Sequence, residues 1–312
     1  MNDRTISGLI TLSIAAVERD TGLSKDTLRV WERRYGYPTP DRDAFGERIY
    51  SVEQVDKLRV IRRLMDVGHR PGRIIRLPIG ELQAMATATA TAPRSIGEAN
   101  SEVADLRAFL EMIKGQRVDE LRRALSQAQL RLGLERFVID LVGPLNRAVG
   151  ESWARGYLEV FEEHLYTESI QVILRAAIGN VPQPGRRPRV LLTTFPNEPH
   201  GLGLLMAEAL LALEGARCVS LGVQTPIWDI VLAATSQHAD VVGLTFSGVI
   251  NPNQMLDGLA ELRQKLPRAT GIWAGGSAPV LQRKAPPGIE VFAGLGDLRP
   301  AVERWRNEHP ER

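Results

Sequence analysis

Residues 189–194 read Arg189-Val190-Leu191-Leu192-Thr193-Thr194, and shortly after them the chain continues Glu198-Pro199-His200-Gly201-Leu202-Gly203. The first piece is a short apolar run. The second is a loop that carries a carboxylate, a histidine and two glycines. Apolar runs recur at 218–221, 241–246, 271–274 and 289–293, with helical stretches filling the gaps. Short buried strands that alternate with helices predict a flavodoxin-like α/β doubly wound parallel sheet over residues 188–312. Such sheets bind ligands at the carboxyl ends of their strands. Just after the first run stands His200, a residue type that ligates transition metals through a ring nitrogen. Glu198, two positions earlier, is placed to orient that ring. Gly203 lets a large flat ligand approach the backbone. Thr245 and Ser247 follow the third run, and Gly275 and Gly276 follow the fourth, so hydroxyls and glycines fall where this fold binds ligands.

Upstream, residues 102–181 carry apolar positions at helical spacing, among them Leu106, Phe109, Leu110 and Ile113, then Leu134, Phe137, Val138, Leu141 and Leu145. A Pro/Arg stretch from Pro182 to Pro188 reads as a linker. Residues 79–101, with their Ala/Thr alternation, read as a second and flexible one.

The first 78 residues form a third module. Ser13 is placed to cap a short helix that stops at Thr21-Gly22, and Ser24 to cap the next, which runs to Tyr35. Two helices joined by so tight a turn suit a helix-turn-helix. The stretch from Gly36 to Arg48, with two prolines, Gly46, Arg42 and Arg48, reads as a hairpin or wing. Ser51 to Gln54 has the spacing of a capping box that opens a third helix. Residues 1–80 hold 15 Lys+Arg against 11 Asp+Glu, although the whole chain is only +2. That asymmetry assigns any nucleic-acid surface to this end.

No apolar run reaches the roughly 18 residues that a membrane span needs. The N-terminus has no apolar h-region, so no signal peptide is expected. The single cysteine, Cys218, cannot pair internally, which suits a reducing cytosol. The expected location is the cytoplasm.

Thr27-Leu28-Arg29-Val30-Trp31-Glu32-Arg33-Arg34-Tyr35, then Arg48-Ile49-Tyr50-Ser51, then Ile61-Arg62-Arg63-Leu64 with Gly68, resemble the MerR family of winged helix-turn-helix regulators. The resemblance implies dimeric binding to a double-stranded DNA operator, with the second helix in the major groove and the wing on the backbone. On that reading Lys25, Thr27 and Arg29 reach base edges. Arg33, Arg34, Arg42 and Arg48 hold phosphates, with Tyr35 beside them. Leu28 and Trp31 belong to the core. Asp43 stands in the wing where the family is basic or neutral.

The loop of Glu198, His200 and Gly203, with Thr245, Ser247, Gly275 and Gly276, resembles the cobalamin-binding domain of methionine synthase and the mutases. That resemblance implies His200 as the lower axial cobalt ligand, with the nucleotide tail running past the third-strand hydroxyls and the paired glycines. Thr245 stands where serine is more usual and keeps the hydroxyl.

Trp153, followed after nine residues by Glu163-His164, resembles the four-helix bundle that caps the cofactor in the CarH/LitR group of cobalamin-dependent light-sensing repressors. The expected architecture is thus multidomain: an all-α winged helix-turn-helix, then the bundle, then the sheet. The expected function is a DNA-binding transcription regulator, not an enzyme, controlled by bound cobalamin in its adenosyl or another form. A light response and repression of carotenoid genes are what the group implies, and a homodimer or homotetramer is the expected assembly. One residue departs from the group. The photoreceptors carry a cobalt-ligating histidine after the tryptophan, and here Ala154 stands there.

Two alternatives remain from the sequence. One is a corrinoid methyl carrier, which has no use for the N-terminal module. The other is a MerR-type regulator whose C-terminal half has lost cobalamin.

Overall fold

The computed structural model describes residues 11–66, 69–89, 106–182, 185–248 and 250–310. The motif position Gly68, and the stretch from 90 to 101 of the expected linker, lie outside these. The chain divides into two compact units, residues 1–97 with 150–159, and residues 98–149 with 160–312.

The first unit opens with β1 (Thr11–Ser13), α1 (Ile14–Thr21) and α2 (Lys25–Tyr35), then β2 (Asp41–Arg42), β3 (Arg48–Ser51), α3 (Val52–Asp66), α4 (Pro71–Ile74) and α5 (Ile79–Thr89). The caps fall where the sequence predicts them. Ser13 Oγ accepts from the N–H of Ala16, and Ser24 Oγ from the N–H of Thr27. These bonds satisfy helix-terminal donors that have no partner within the helix. The capping box at Ser51 is half formed. Its hydroxyl accepts from Gln54 N, but the Gln54 side chain turns to Thr39, donating to its carbonyl at 2.9 Å and accepting from its N–H at 3.1 Å. Val17, Leu28, Trp31, Tyr50, Leu58, Ile61 and Leu82 share one core.

Two expectations need correction here. The module is not all-α: β1 and β2 both pair antiparallel with β3, in the order β1-β3-β2. The expected linker begins with a helix instead. Leu82 is fully buried in the core of the unit and Met85, three residues on, packs against it, so α5 has an apolar face to bury.

The second unit holds α6 (Leu106–Lys114), α7 (Val118–Leu132), α8 (Leu134–Arg136), a π-helical turn (Phe137–Val142), α9 (Gly143–Ala154, its last turn assigned to the first unit) and α10 (Val160–Gly179). Helices α6, α7 and α10 pack on one another. The rest is β4 (Arg186–Thr193), α11 (Leu202–Leu213), β5 (Ala216–Gly222), α12 (Ile227–Ser236), β6 (Val241–Phe246), α13 (Pro252–Lys265), β7 (Gly271–Gly276), α14 (Pro279–Lys284), β8 (Glu290–Val291) and α15 (Leu298–Glu308).

The five strands are parallel, in the order β5-β4-β6-β7-β8. Numbered along the sheet domain alone this is the flavodoxin order, with its switch point between the first and third strands, β4 and β6. Val190, Leu191 and Leu192 of β4 are each at most 2 % exposed, as a strand covered on both faces requires. The expected second linker is shorter than predicted, because β4 already starts at Arg186. Among the described residues, no helix is long and apolar enough to cross a membrane.

Candidate functional site

The loop after β4 lies at the topological switch point. Its carboxylate, Glu198, is fully buried, whereas the His200 side chain is 58 % exposed. His200 Nδ1 lies 2.7 Å from Glu198 Oε1, and the His200 backbone N–H donates to the same oxygen at 3.2 Å. Ser247, just beyond β6, completes the network. Its N–H donates to Glu198 Oε2 at 2.7 Å and its hydroxyl donates to both carboxylate oxygens, at 3.0 and 2.8 Å. Burial by itself would raise the Glu198 carboxyl above its ordinary range. The hydrogen bonds from His200 and Ser247 outweigh it and hold the group below that range. A carboxylate so held accepts from Nδ1–H, which fixes the tautomer and the ring orientation and leaves Nε2 as the donor to a metal.

Thr194 braces the loop. Its hydroxyl donates to the Glu198 carbonyl at 2.6 Å and accepts from Gln224 N at 2.8 Å. The sequence reading missed this residue. Its only signal there was a second threonine at the end of an apolar run.

The rest of the predicted site gathers at the same edge of the sheet. Gly203 lies against Thr245: a Cβ built on it would sit 3.9 Å from Thr245 Oγ1. That hydroxyl is buried and has no hydrogen-bond partner among the described residues. A buried polar atom without a partner is costly, and a bound group that supplies a partner removes the cost. Gly276 has φ +121°, and a Cβ there would come within 2.1 Å of the Phe246 carbonyl oxygen, so only glycine fits. Gly275 has ordinary room beside Phe292. The donor set therefore fits cobalamin: one oriented imidazole, one hydroxyl waiting for a partner, and a glycine-lined path beside it. Ser247 is placed differently from expectation, as it serves Glu198 rather than standing beside Thr245 as a second hydroxyl. No group of three or more His, Cys, Asp or Glu that could hold a metal occurs among the described residues.

The predicted cap residues divide between the two units. Glu163 and His164 lie on α10, where Glu163 accepts from the Thr167 hydroxyl at 2.6 Å and His164 is 70 % exposed. Trp153 falls in the first unit. The Arg63 guanidinium of α3 sits over its ring, 5.8 Å from the centroid, and pairs with Glu159 at 3.2 Å. Gly156, at φ +74°, gives that guanidinium room, because a Cβ there would lie 2.9 Å from Arg63 Nη1. Sequence reasoning placed Arg63 only in a family motif. A contact between α3 and the turn after α9 has no local signature.

On α2, Leu28 and Trp31 are buried, as predicted. Arg29, Arg33 and Arg34 are exposed on the helix. Lys25 pairs with Glu18 at 3.5 Å, Arg29 pairs with Asp26 at 3.3 Å, and Thr27 Oγ1 lies 2.8 Å from Ser24 Oγ. Such exposed pairs exchange readily for phosphates or base edges. Arg34 stacks over Tyr35. In the β2–β3 hairpin, Arg42 Nη1 donates to the Gly46 carbonyl at 2.6 Å. Arg48 is paired with Glu32 of α2 at 2.9 Å, which ties the hairpin to that helix.

Two family models match parts of the chain. Residues 12–77 match the MerR HTH family regulatory protein model, and residues 106–178 match the B12 binding domain model. The chain is 31 % identical over 288 residues to the HTH-type transcriptional repressor CarH of Myxococcus xanthus, spanning 88 % of this chain and 93 % of CarH. It is 30 % identical over 253 residues to the repressor CarA of the same organism, spanning 81 % of this chain and 82 % of CarA. The Methanosarcina barkeri monomethylamine corrinoid protein superposes with a TM-score of 0.52 at 16 % identity, covering 66 % of this chain and all of that one, a likeness of fold. Matched almost end to end at this identity, the chain belongs to the family of CarH and CarA, as a cobalamin-controlled DNA-binding transcription regulator.

Proposed function

We propose that this chain represses transcription in the cytoplasm by binding a double-stranded operator, and that His200 is the cobalt ligand through which cobalamin sets its DNA affinity. The observation that carries this reading is the Glu198–His200–Ser247 network, which holds an imidazole in one tautomer at the switch point of the sheet. The working division is a winged helix-turn-helix over residues 1–78, a four-helix bundle cap over 102–181 and a cobalamin-binding sheet over 188–312, in a homodimer or homotetramer. Bound cobalamin would supply a cobalt that the His200 ring can ligate and, in its alkyl forms such as adenosylcobalamin, a light-sensitive cobalt–carbon bond.

This chain's residues do the remainder. Glu198 and Ser247 aim His200. Thr245 would find a partner on the nucleotide tail, and Gly275 and Gly276 would give that tail room. Glu163 and His164 of α10 would help to cover the upper face of the cofactor. Lys25, Thr27 and Arg29 read base edges, while Arg33, Arg34, Tyr35, Arg42 and Arg48 line the backbone side. Control of DNA binding needs a link from the cofactor to the DNA module, and Arg63 is the candidate, since from α3 it touches the Trp153 ring within the first unit. A ligand moves such an equilibrium only by its differential affinity for the two states. Trp153 cannot serve both the Arg63 contact and a new partner unchanged.

The test is operator affinity with and without adenosylcobalamin, in the full chain and in Arg63→Ala. In the wild type, cobalamin should change affinity by about ten-fold, as couplings of this kind do. In Arg63→Ala the cobalamin affinity should stay and the change in DNA affinity should shrink. DNA affinity that ignores cobalamin in the wild type contradicts the proposal.

A further inference from the structure

The β2–β3 hairpin presents Phe45 with 91 % of its surface exposed, more than any other large apolar side chain among the described residues. Singly exposed apolar side chains are ordinary. Phe45 is set apart by the turn that holds it out. Asp43 Oδ1 accepts from the N–H groups of Phe45 and Glu47, both at 2.9 Å. Asp43 N donates to the Glu47 carbonyl at 2.9 Å, and Gly46 N to the Asp43 carbonyl at 3.0 Å. Arg42 Nη1 closes the turn from outside on the Gly46 carbonyl at 2.6 Å. Gly46 takes φ +80°, the conformation such a turn needs. The turn is thus pre-organised, and a bound partner need not order it.

Charge argues against a phosphate clamp at the tip itself, Asp43 to Glu47, between the flanking Arg42 and Arg48. Between Asp41 and Arg48 the hairpin holds the acids Asp41, Asp43 and Glu47 against the bases Arg42 and Arg48. Arg48 is already paired with Glu32. A net acidic tip gains nothing from phosphates, whereas an apolar ring gains by leaving water between sugars and base edges. The Arg48–Glu32 pair joins the hairpin to the C-terminal half of α2, whose N-terminal residues face the major groove in the proposed reading. The groove across the phosphate backbone from there is the minor groove.

We propose that Phe45 is an apolar wedge that enters the minor groove of the bound duplex and partly unstacks one base step. This rests on the operator-binding reading of α2 and the hairpin. Apolar side chains that act in this way favour the easily opened pyrimidine–purine steps, which gives sequence preference without base hydrogen bonds.

The probe is duplex DNA selected from a random pool by the full-length, cobalamin-loaded wild type, and then labelled with 2-aminopurine at successive positions. Phe45→Ala should weaken binding by about ten-fold, and Phe45→Leu less. The salt dependence of binding should not change, because no phosphate contact is lost. Wild type should raise 2-aminopurine fluorescence at one step on each half-site, and Phe45→Ala should not. The melting temperature should be the same in both, since an exposed ring contributes no packing. Equal affinity and equal fluorescence in wild type and Phe45→Ala overturn the wedge. So does a loss of affinity with a shallower salt slope, which makes the hairpin a phosphate contact, or one with no fluorescence change at any step. If the wild type selects no duplex at all, the operator-binding reading falls as well. If it selects one and Phe45→Ala matches it, only the wedge falls.

Discussion

Ser247 donates its hydroxyl to both oxygens of Glu198, although the two residues lie on different strand-end loops of the sheet. The same carboxylate holds His200 Nδ1 at 2.7 Å. Glu198 thus stands between a fixed donor and a metal-ligand candidate. Glu198→Gln, or Ser247→Ala, should keep the fold and lower cobalamin affinity by roughly 10–100-fold, the usual cost of losing a partner that orients a metal ligand. Equilibrium titration followed by absorbance checks it. Unchanged affinity in both variants would mean that the network only shapes the loop.

The exposed arginines of α2 should separate by position. Arg33→Ala, near the end of the helix, should weaken binding to all duplexes alike and reduce the salt slope by about 1. Arg29→Ala, closer to the helix start and paired only with exposed Asp26, should change sequence preference by roughly 1–3 kcal/mol at one position. Binding measured on a panel of single-base operator variants distinguishes the two. A uniform loss for Arg29→Ala would move that residue to the phosphate contacts.

Asp240 gives the sheet an acid-sensitive point. Burial would raise its carboxyl, but the hydrogen bonds from Arg187 and from the Arg189 N–H, and the charges of both guanidiniums, hold it below the ordinary range. A carboxyl depressed in the folded state contributes stability above its unfolded value, near 4, and loses it as pH falls through the folded value. Asp240→Asn should therefore cost about 1–2 kcal/mol at pH 7. That difference from wild type should shrink below about pH 4. Urea unfolding at pH 7 and pH 3 measures both. A difference that persists unchanged at pH 3 would mean that the charge is not what counts.

Much of this was legible from sequence. The sheet announced itself because its strands are buried on both faces and so read as unbroken apolar runs. Glu198 and His200 were legible because both sit in one loop just after such a run. What stayed hidden is non-local. Ser247 could be placed at a strand end but not aimed at Glu198, and the Arg63–Trp153 contact joins residues far apart in the chain. Strand β1 escaped because Thr11–Ser13 is three residues long and gains its partner only when β3 folds beside it. Helix α5 escaped because its Ala/Thr composition masks Leu82, the residue that anchors it.

Ala154 bears on light. It follows Trp153 and carries no metal donor, where the light-sensing repressors that the chain resembles carry a histidine. Were light to break a cobalt–carbon bond in this protein, Ala154 would offer the metal no ligand. Illumination of the adenosylcobalamin-loaded protein should then shift operator affinity by less than about three-fold. Ala154→His should enlarge the shift. Complete loss of DNA binding and disassembly of the wild type in light would contradict this, and would direct attention to His164.

The most direct measurement titrates operator binding by wild type and His200→Ala, each with and without adenosylcobalamin, alongside the absorbance spectrum of the loaded protein. The account predicts that the wild type shows the spectrum of a protein-bound nitrogen ligand and a cobalamin-dependent change in DNA affinity. It predicts that His200→Ala keeps its fold and its cobalamin-free DNA affinity but loses both the spectrum and the change. A His200→Ala variant with unaltered spectrum and unaltered cobalamin control of DNA binding would contradict it.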